Sequence, residues 1–162
     1  MEKSEKVRRY PVVPRVGVAG VVVFEERVLL IKRGREPGRG EWNLPGGLVE
    51  VGETLREAVA REVEEETGLQ VAARELLAVG DRIIRDEAGR VMYHYVLLDY
   101  LCEVTGGELA SGSDAEEARW MTPRELEEIP LPRSIRDVLA RAEEKIGGFR
   151  EIRDKEKGEE DG

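Results

Sequence analysis

Residues 47–69 read GLVEVGETLREAVAREVEEETGL, and the placement of their acidic and apolar side chains governs how the rest of the chain is understood. At about 100° of rotation per residue, Glu62, Glu65 and Glu66 fall within an arc of about 100° on one side of a helix. Carboxylates at i, i+3 and i+4 repel, costing an isolated helix about 0.2–0.5 kcal/mol per pair, so the spacing predicts that something cationic gathers there. Leu55, Val59 and Val63, spaced by four, form an apolar stripe beside this arc. The helix can therefore pack on a sheet while its carboxylates reach a cleft. Thr54 or Glu53 can open the helix, and Gly68 stands where a left-handed residue would close it, which predicts a helix over about 54–67.

Converging carboxylates offer hard oxygen ligands, which suit magnesium, manganese or calcium. With one histidine and one cysteine in the whole chain, a zinc site of nitrogen and sulfur ligands is poorly supplied. Magnesium is the expected cofactor, with manganese as the alternative. Upstream, Leu44-Pro45-Gly46-Gly47 predicts a stiff turn followed by two residues without side chains, where backbone groups can come close to a metal or a phosphate. A run such as Glu64-Glu65-Glu66 alone is more often a solvated face. What sets this stretch apart is the complete spacing of Gly47, Glu53, Arg61-Glu62-Val63, Glu65-Glu66 and Gly68-Leu69.

That nine-position pattern resembles, without a mismatch, the signature of the Nudix hydrolases, a family that hydrolyses nucleoside diphosphates linked to another moiety. The resemblance implies an α/β fold, an α/β/α sandwich on a mixed β-sheet. Glu62, Glu65 and Glu66 are the expected metal ligands, and the resemblance adds the carbonyl of Gly46, just before the first signature glycine. It also implies that Arg61 orients glutamates rather than binding substrate. Glu53 and Glu62 are both candidates for a second-metal contact or for accepting a proton. Family members often add a carboxylate from a loop shortly before a tryptophan. Asp114, Glu116 and Glu117 stand in that place before Trp120, with Glu117 preferred as a metal contact or general base.

The 162 residues fit a single domain, expected over 1–148, with 1–15 as an N-terminal extension or edge strand and 149–162 as a charged tail without fixed structure. Thirty-five acidic against twenty-six basic residues give a formal charge of −9, which opposes general binding to nucleic acid or to anionic membranes. The longest apolar run, Val16 to Phe24, is far below a membrane span. The start, MEKSEKVRRYP, lacks a secretory signal, and a single Cys102 excludes an internal disulfide, so a cytoplasmic location is expected, with Cys102 as a buried, inert thiol. A polyanionic substrate must then be attracted locally, by the metal ions and by Lys32, Arg33 and Arg35. Arg33 and Arg35 could grip phosphate through bidentate contacts, and Trp42 could stack on a base. Tyr93, Tyr95 and His94, within a strand pattern, read as packing residues.

Around the helix, Val16–Phe24 and Arg27–Arg33 predict a hairpin turning at Glu25-Glu26, followed by a loop over Gly34–Trp42. Glu75–Arg85 and Arg90–Val104 predict a second hairpin that turns at Asp86–Gly89. A short strand over Ala118–Met121, a capping box at Thr122-Pro123-Arg124-Glu125 and a last helix over Ser134–Ile146 complete a mixed sheet with helices on its faces. Charged residues make up 38% of the chain while Asn43 and Gln70 are its only amides, a balance like that of proteins from hot environments. We therefore expect a calorimetric melting midpoint above the mesophilic band of about 45–65 °C, and a midpoint inside it would refute that reading.

On substrate, Ile84, Arg85, Asp86 and Glu87 occupy the positions where many ADP-ribose hydrolases carry a proline and diadenosine polyphosphate hydrolases a tyrosine, and neither mark is present. Trp42–Gly47 and Asp114–Trp120 together look like a bacterial and archaeal branch labelled ADP-ribose pyrophosphatase. The resemblance thus favours ADP-ribose, cleaved to AMP and ribose 5-phosphate. The alternatives are a sanitising hydrolase of oxidised or surplus nucleoside triphosphates and a non-catalytic ADP-ribose sensor, against which the intact signature weighs. Many members are homodimers, and Val7–Arg15 could be a strand exchanged in such a dimer.

Overall fold

The computed structural model describes residues 8–110 and 115–146, apart from the side chain at 116. The charged tail and Asp114 lie outside the described residues. Strand β1 (Arg15–Phe24) and strand β2 (Arg27–Arg33) are joined through Glu25 and Glu26, whose φ angles of 48° and 64° are those of a tight turn matched to strand twist. The hairpin is paired only at its closed end, Val23 opposite Val28 and Phe24 opposite Arg27. Beyond that the strands part, and β4 (Gly46–Leu48) lies along β1, with Gly17 opposite Leu48, Val18 opposite Gly47 and Ala19 opposite Gly46. This parting positions the candidate site.

Strands β3 (Trp42–Asn43), β5 (Leu69–Arg85), β6 (Val91–Gly107) and β7 (Ala115–Met121) complete one seven-stranded sheet of order β3-β2-β1-β6-β5, with β4 on β1 and β7 on β2. The β1–β6 pair is parallel and the others are antiparallel, so the sheet is mixed, as the element order predicts. Helix α1 (Leu55–Thr67) covers one face, its Val59 and Val63 fully buried against Val18, Val22, Leu29, Tyr100 and Cys102. Each such valine stabilises the fold by about 1.5–3 kcal/mol. The opposite face carries α2 (Pro123–Glu128) and α3 (Arg133–Lys145), whose Leu126, Ile135, Val138 and Leu139 pack on Val21, Leu30 and Met121. The architecture is the expected α/β/α sandwich. Thr54 caps α1 in a capping box with Glu57, Gly68 ends it at φ 76°, and Thr122 caps α2 in a capping box with Glu125.

Several boundaries differ from the sequence reading. Strand β5 starts at Leu69, directly after the cap of α1, rather than at Glu75, because register shifts at Gln70/Val71, Ala73/Leu76 and Leu76/Ala78 break the alternation that would reveal it. Strand β7 begins at Ala115 rather than Ala118. Gly46-Gly47 is ladder rather than open turn, and Trp42 belongs to β3 rather than a loop. Residues 8–14 form no strand. Instead Tyr10 is pinned to the β5–β6 turn: its N–H donates to the Met92 carbonyl at 2.8 Å, its hydroxyl donates to Asp86 at 2.9 Å, and the Arg90 guanidinium lies 4.8 Å from its ring centre.

Cys102 is buried as expected, and burial pushes its thiol up to about 12. Because the thiolate is the reactive form, Ellman's reagent at pH 8 should label Cys102 only at the rate of global unfolding. Prompt labelling of the folded protein would contradict this burial.

Candidate active site

Arg61 stands two turns into α1, and its guanidinium organises the acidic end of the helix. Nε and Nη2 donate to the two oxygens of Glu53 at 2.6 and 2.9 Å, a bidentate grip. Nη1 donates to Glu62 at 2.8 Å and to Glu65 at 3.3 Å, Nη2 donates to the Leu48 carbonyl at 3.0 Å, and Glu50 lies 3.8 Å away. The Arg61 hydrogen bonds hold the Glu53 carboxyl down at about 2, helped by the Glu50 N–H, against a smaller opposing effect of burial. Glu62 is shifted the other way. Its burial raises its proton affinity more than the neighbouring guanidinium lowers it.

Strand β4 links this helix end to the sheet. Gly20 N–H donates to the Pro45 carbonyl and Val49 N–H to the Val16 carbonyl. The odd-numbered residues of this segment are therefore those hydrogen-bonded to β1, and Gly46 and Leu48 turn their main-chain groups to the outer edge. The Leu48 carbonyl meets Arg61 there, and Gly46 N–H donates to Glu66 Oε1 at 3.2 Å. By the same phasing the Gly46 carbonyl shares this edge. Glycine at 47 makes room for an acid: a Cβ there would lie 2.5 Å from both Glu62 carboxylate oxygens.

Glu62, Glu65 and Glu66 share one side of α1, as their spacing predicts, but their tips are directed to different partners. Among the described residues no three histidine, cysteine, aspartate or glutamate side chains close on a common point. Glu62 and Glu65 turn to Arg61, and Glu66, only 5% exposed, turns to Gly46. The donors nonetheless fit a hard cation: they are oxygens only, carboxylates beside an outward main-chain edge, with a side-chain-free residue at 47 that lets the acid approach.

On the other side of β4 is a cavity of about 440 Å³ on the α3 face of the sheet, and β4 is its wall. The strand registers set its floor in three rows. The inner row holds Ala78, Asp99, Ala19 and Gly46, the middle row Gly80, Leu97, Gly17 and Leu48, and the outer row Arg82 and Tyr95. Arg33, which the sequence reading offered as a phosphate contact, lines this cavity. Its Nε donates to the Pro37 carbonyl at 2.7 Å, and burial lowers its proton affinity, partly opposed by Glu66. Arg35 and Trp42 are not among the lining residues. Trp42 packs against the α3-side core with the Arg119 guanidinium 5.3 Å from its ring centre. Glu117 sits on β7 opposite Lys32 and pairs with Arg119 at 2.8 Å, apart from the Arg61 cluster.

Asp99, Tyr95, Arg82 and Arg8 line the cavity, and sequence reasoning did not single out any of them as site residues. Burial alone pushes Asp99 up to about 6. The signal was present in the alternation of β6, where Tyr95, Leu97, Asp99 and Leu101 fall on one face and place an acid in the phase of the core.

The comparisons with known proteins agree with this fold. The model of the NUDIX domain matches residues 13–142. An ADP-ribose pyrophosphatase of Methanocaldococcus jannaschii is 44% identical over 107 residues, covering 66% of this chain and 61% of the relative. A putative 8-oxo-dGTP diphosphatase 2 of Mycobacterium tuberculosis is 41% identical over 116 residues, covering 71% of this chain and 78% of the relative. The crystal structure of a MutT Nudix hydrolase from Burkholderia pseudomallei superposes with a TM-score of 0.63 at 36% identity, covering 80% of this chain and 98% of that one. The chain belongs to the Nudix hydrolase family. Among the described residues no helix is long and apolar enough to cross a membrane.

Proposed function

We propose that this chain is a magnesium-dependent pyrophosphohydrolase that cleaves the diphosphate of ADP-ribose to AMP and ribose 5-phosphate. The observation that carries the reaction class is the single guanidinium of Arg61 tying Glu53, Glu62 and Glu65 together beside the outward edge of β4. The substrate rests on the similarity to the archaeal ADP-ribose pyrophosphatase. A divalent cation held by Glu62, Glu65, Glu66 and the Gly46 carbonyl would neutralise phosphate charge and acidify the attacking water, and manganese could take the same oxygens. Arg61 fixes the carboxylates in place. Glu53, engaged at both oxygens and fully ionised, is a positioning residue. Glu62, held by Arg61 through one oxygen only, keeps its second oxygen for a proton and is the better acceptor of the two. It is also preferred to Glu117, which faces Arg119. Water attacks one phosphorus of the diphosphate as Glu62 takes its proton, the bond from that phosphorus to the bridging oxygen breaks, and the other half of the substrate leaves with the bridging oxygen on its phosphate, so that AMP and ribose 5-phosphate form with no covalent intermediate.

A second reading, hydrolysis of oxidised or surplus nucleoside triphosphates, is favoured by the name of the Mycobacterium tuberculosis relative. Product analysis with magnesium separates the two, since ADP-ribose yields AMP and ribose 5-phosphate whereas a triphosphate releases pyrophosphate. Glu65→Gln and Glu66→Gln are each expected to retain the fold, because in the second of them the new amide keeps an oxygen for Gly46 N–H and in the first the side chain is half exposed. Each should lower magnesium-dependent turnover roughly 10- to 100-fold. Full turnover in either variant would remove the metal-ligand assignment, and a chain that bound ADP-ribose but cleaved nothing in the panel would be a sensor instead.

A further inference from the structure

The outer row of the cavity floor sets the Arg82 guanidinium beside Tyr95, on the side of β4 away from the Arg61 cluster. Tyr95 stands directly opposite Arg82 on one neighbouring strand and Arg15 on the other. Directly paired side chains have Cβ atoms about 5 Å apart on the same face. Arg8 and Arg33 line the same cavity, and both influence the charge of the Tyr95 hydroxyl. Tyr95 is only 7% exposed, and its hydroxyl is a buried polar atom that meets no hydrogen-bond partner among the described residues. The same is true of Arg8 Nε. A buried donor without a partner costs about 1–3 kcal/mol, so two at one end of one cavity point to a ligand that satisfies both.

The chemistry of that ligand follows from the charges. Arg8, Arg33 and Arg82 bring three positive groups together, and none of them forms an ion pair with the acids among the described residues. Arg33 is electrostatically disfavoured by both of the others. At the opposite, inner end of the floor stands Asp99, whose carboxylate repels an anion. Along the floor, charge thus runs from basic at the outer row to acidic at the inner row, with small or apolar residues between, while Asp137 and Arg141 of α3 also line the cavity.

We propose that Arg8, Arg33, Arg82 and the Tyr95 hydroxyl form a phosphate pocket at the outer end of the cavity, across β4 from the Arg61 cluster and within electrostatic reach of Glu62 and Glu66. This rests on the proposed function only for the identity of the phosphate, which is the half of the substrate's diphosphate that faces the cavity. Guanidinium groups supply charge-assisted donors to phosphate oxygens, and the tyrosine adds a neutral donor that fixes orientation.

The test is calorimetric titration of the full chain with inorganic phosphate in EDTA, where no metal-dependent contact contributes. Phosphate should bind the wild type saturably. Tyr95→Phe, which removes one oxygen and preserves the ring, should weaken it roughly fivefold, and Arg82→Ala roughly tenfold or more. Arg124→Ala, which removes the same charge from an exposed pair with Glu128, should leave it unchanged. Under turnover, Tyr95→Phe should raise KM with kcat within about twofold. The pocket is refuted if phosphate fails to bind the wild type, or if Tyr95→Phe and Arg82→Ala bind it no more weakly than Arg124→Ala. Because the titration does not involve hydrolysis, inactivity toward ADP-ribose would leave the pocket standing. Conversely, unaltered phosphate binding by the two variants would leave ADP-ribose hydrolysis standing.

Discussion

Replacing Arg61 by alanine is expected to lower kcat roughly 10²- to 10³-fold, more than the loss of any single glutamate ligand, because one side chain positions three carboxylates and the Leu48 carbonyl at once. Without the guanidinium, Glu53, Glu62 and Glu65 repel one another and lose their common reference point, so the loss falls on the catalytic step and KM should move little. Arg61→Lys should recover less than about a tenth of the lost rate. An ammonium offers a point charge in place of the planar fork that spans both oxygens of Glu53. The same contact has a pH signature. The carboxyl of Glu53 is held at about 2 against an ordinary 4.5, so the ionised form is favoured in the folded protein. Its stabilisation is complete above pH 4.5 and is lost as pH falls toward 2. Arg61→Ala should therefore unfold at higher pH than the wild type in an acid titration followed by circular dichroism. An alanine variant that kept turnover within about threefold, or an unmoved acid transition, would show that Arg61 does not organise the site.

The sequence made α1 legible because three independent signals coincide there. The four-residue apolar stripe, the capping residue Thr54 and the left-handed Gly68 each mark the same helix, and the structure agrees within a residue. The Glu25-Glu26 turn and the capping box at Thr122 were legible for the same local reason. What could not be read was non-local. The alternation of β5 is interrupted by register shifts that only its partner strand defines. The separation of β1 from β2, which admits β4 and brings Gly46 and Gly47 to the glutamates, is defined by the pairing of β4 with the open part of β1, more than twenty residues away in sequence. The cavity suffers most from this, since its floor combines residues from β1, β4, β5 and β6 that share no window of sequence. Arg33 is recognisable because it ends a clear strand. Tyr95 reads as packing because a lone strand cannot show that its face opens on a cavity.

Gly46→Ala is expected to be among the most damaging substitutions of a hydrogen by a methyl group in this chain. The backbone at Gly46 is ordinary extended strand, so the need for glycine is spatial rather than conformational. A Cβ there would fall on the Val18 carbonyl oxygen, with Ala19 Cα at 2.8 Å and Ala19 Cβ at 3.0 Å. Backbone of β1, itself fixed by β6 on its other edge, cannot yield as a side chain end could. The strand must move as a unit instead, which takes Gly46 N–H from Glu66 and the Leu48 carbonyl from Arg61. Overpacking of this kind costs about 1–3 kcal/mol, or a fall in Tm of roughly 3–10 °C for a domain of this size, with turnover reduced further than stability alone explains. Gly80→Ala provides the comparison, since a Cβ at Gly80 meets nothing within 4 Å and the backbone there is also strand. Its Tm should be unchanged or slightly raised. If the two variants melted together, the close approach of β4 to β1 would not be what requires glycine at 46, and the coupling between that strand and the glutamates would have to be abandoned.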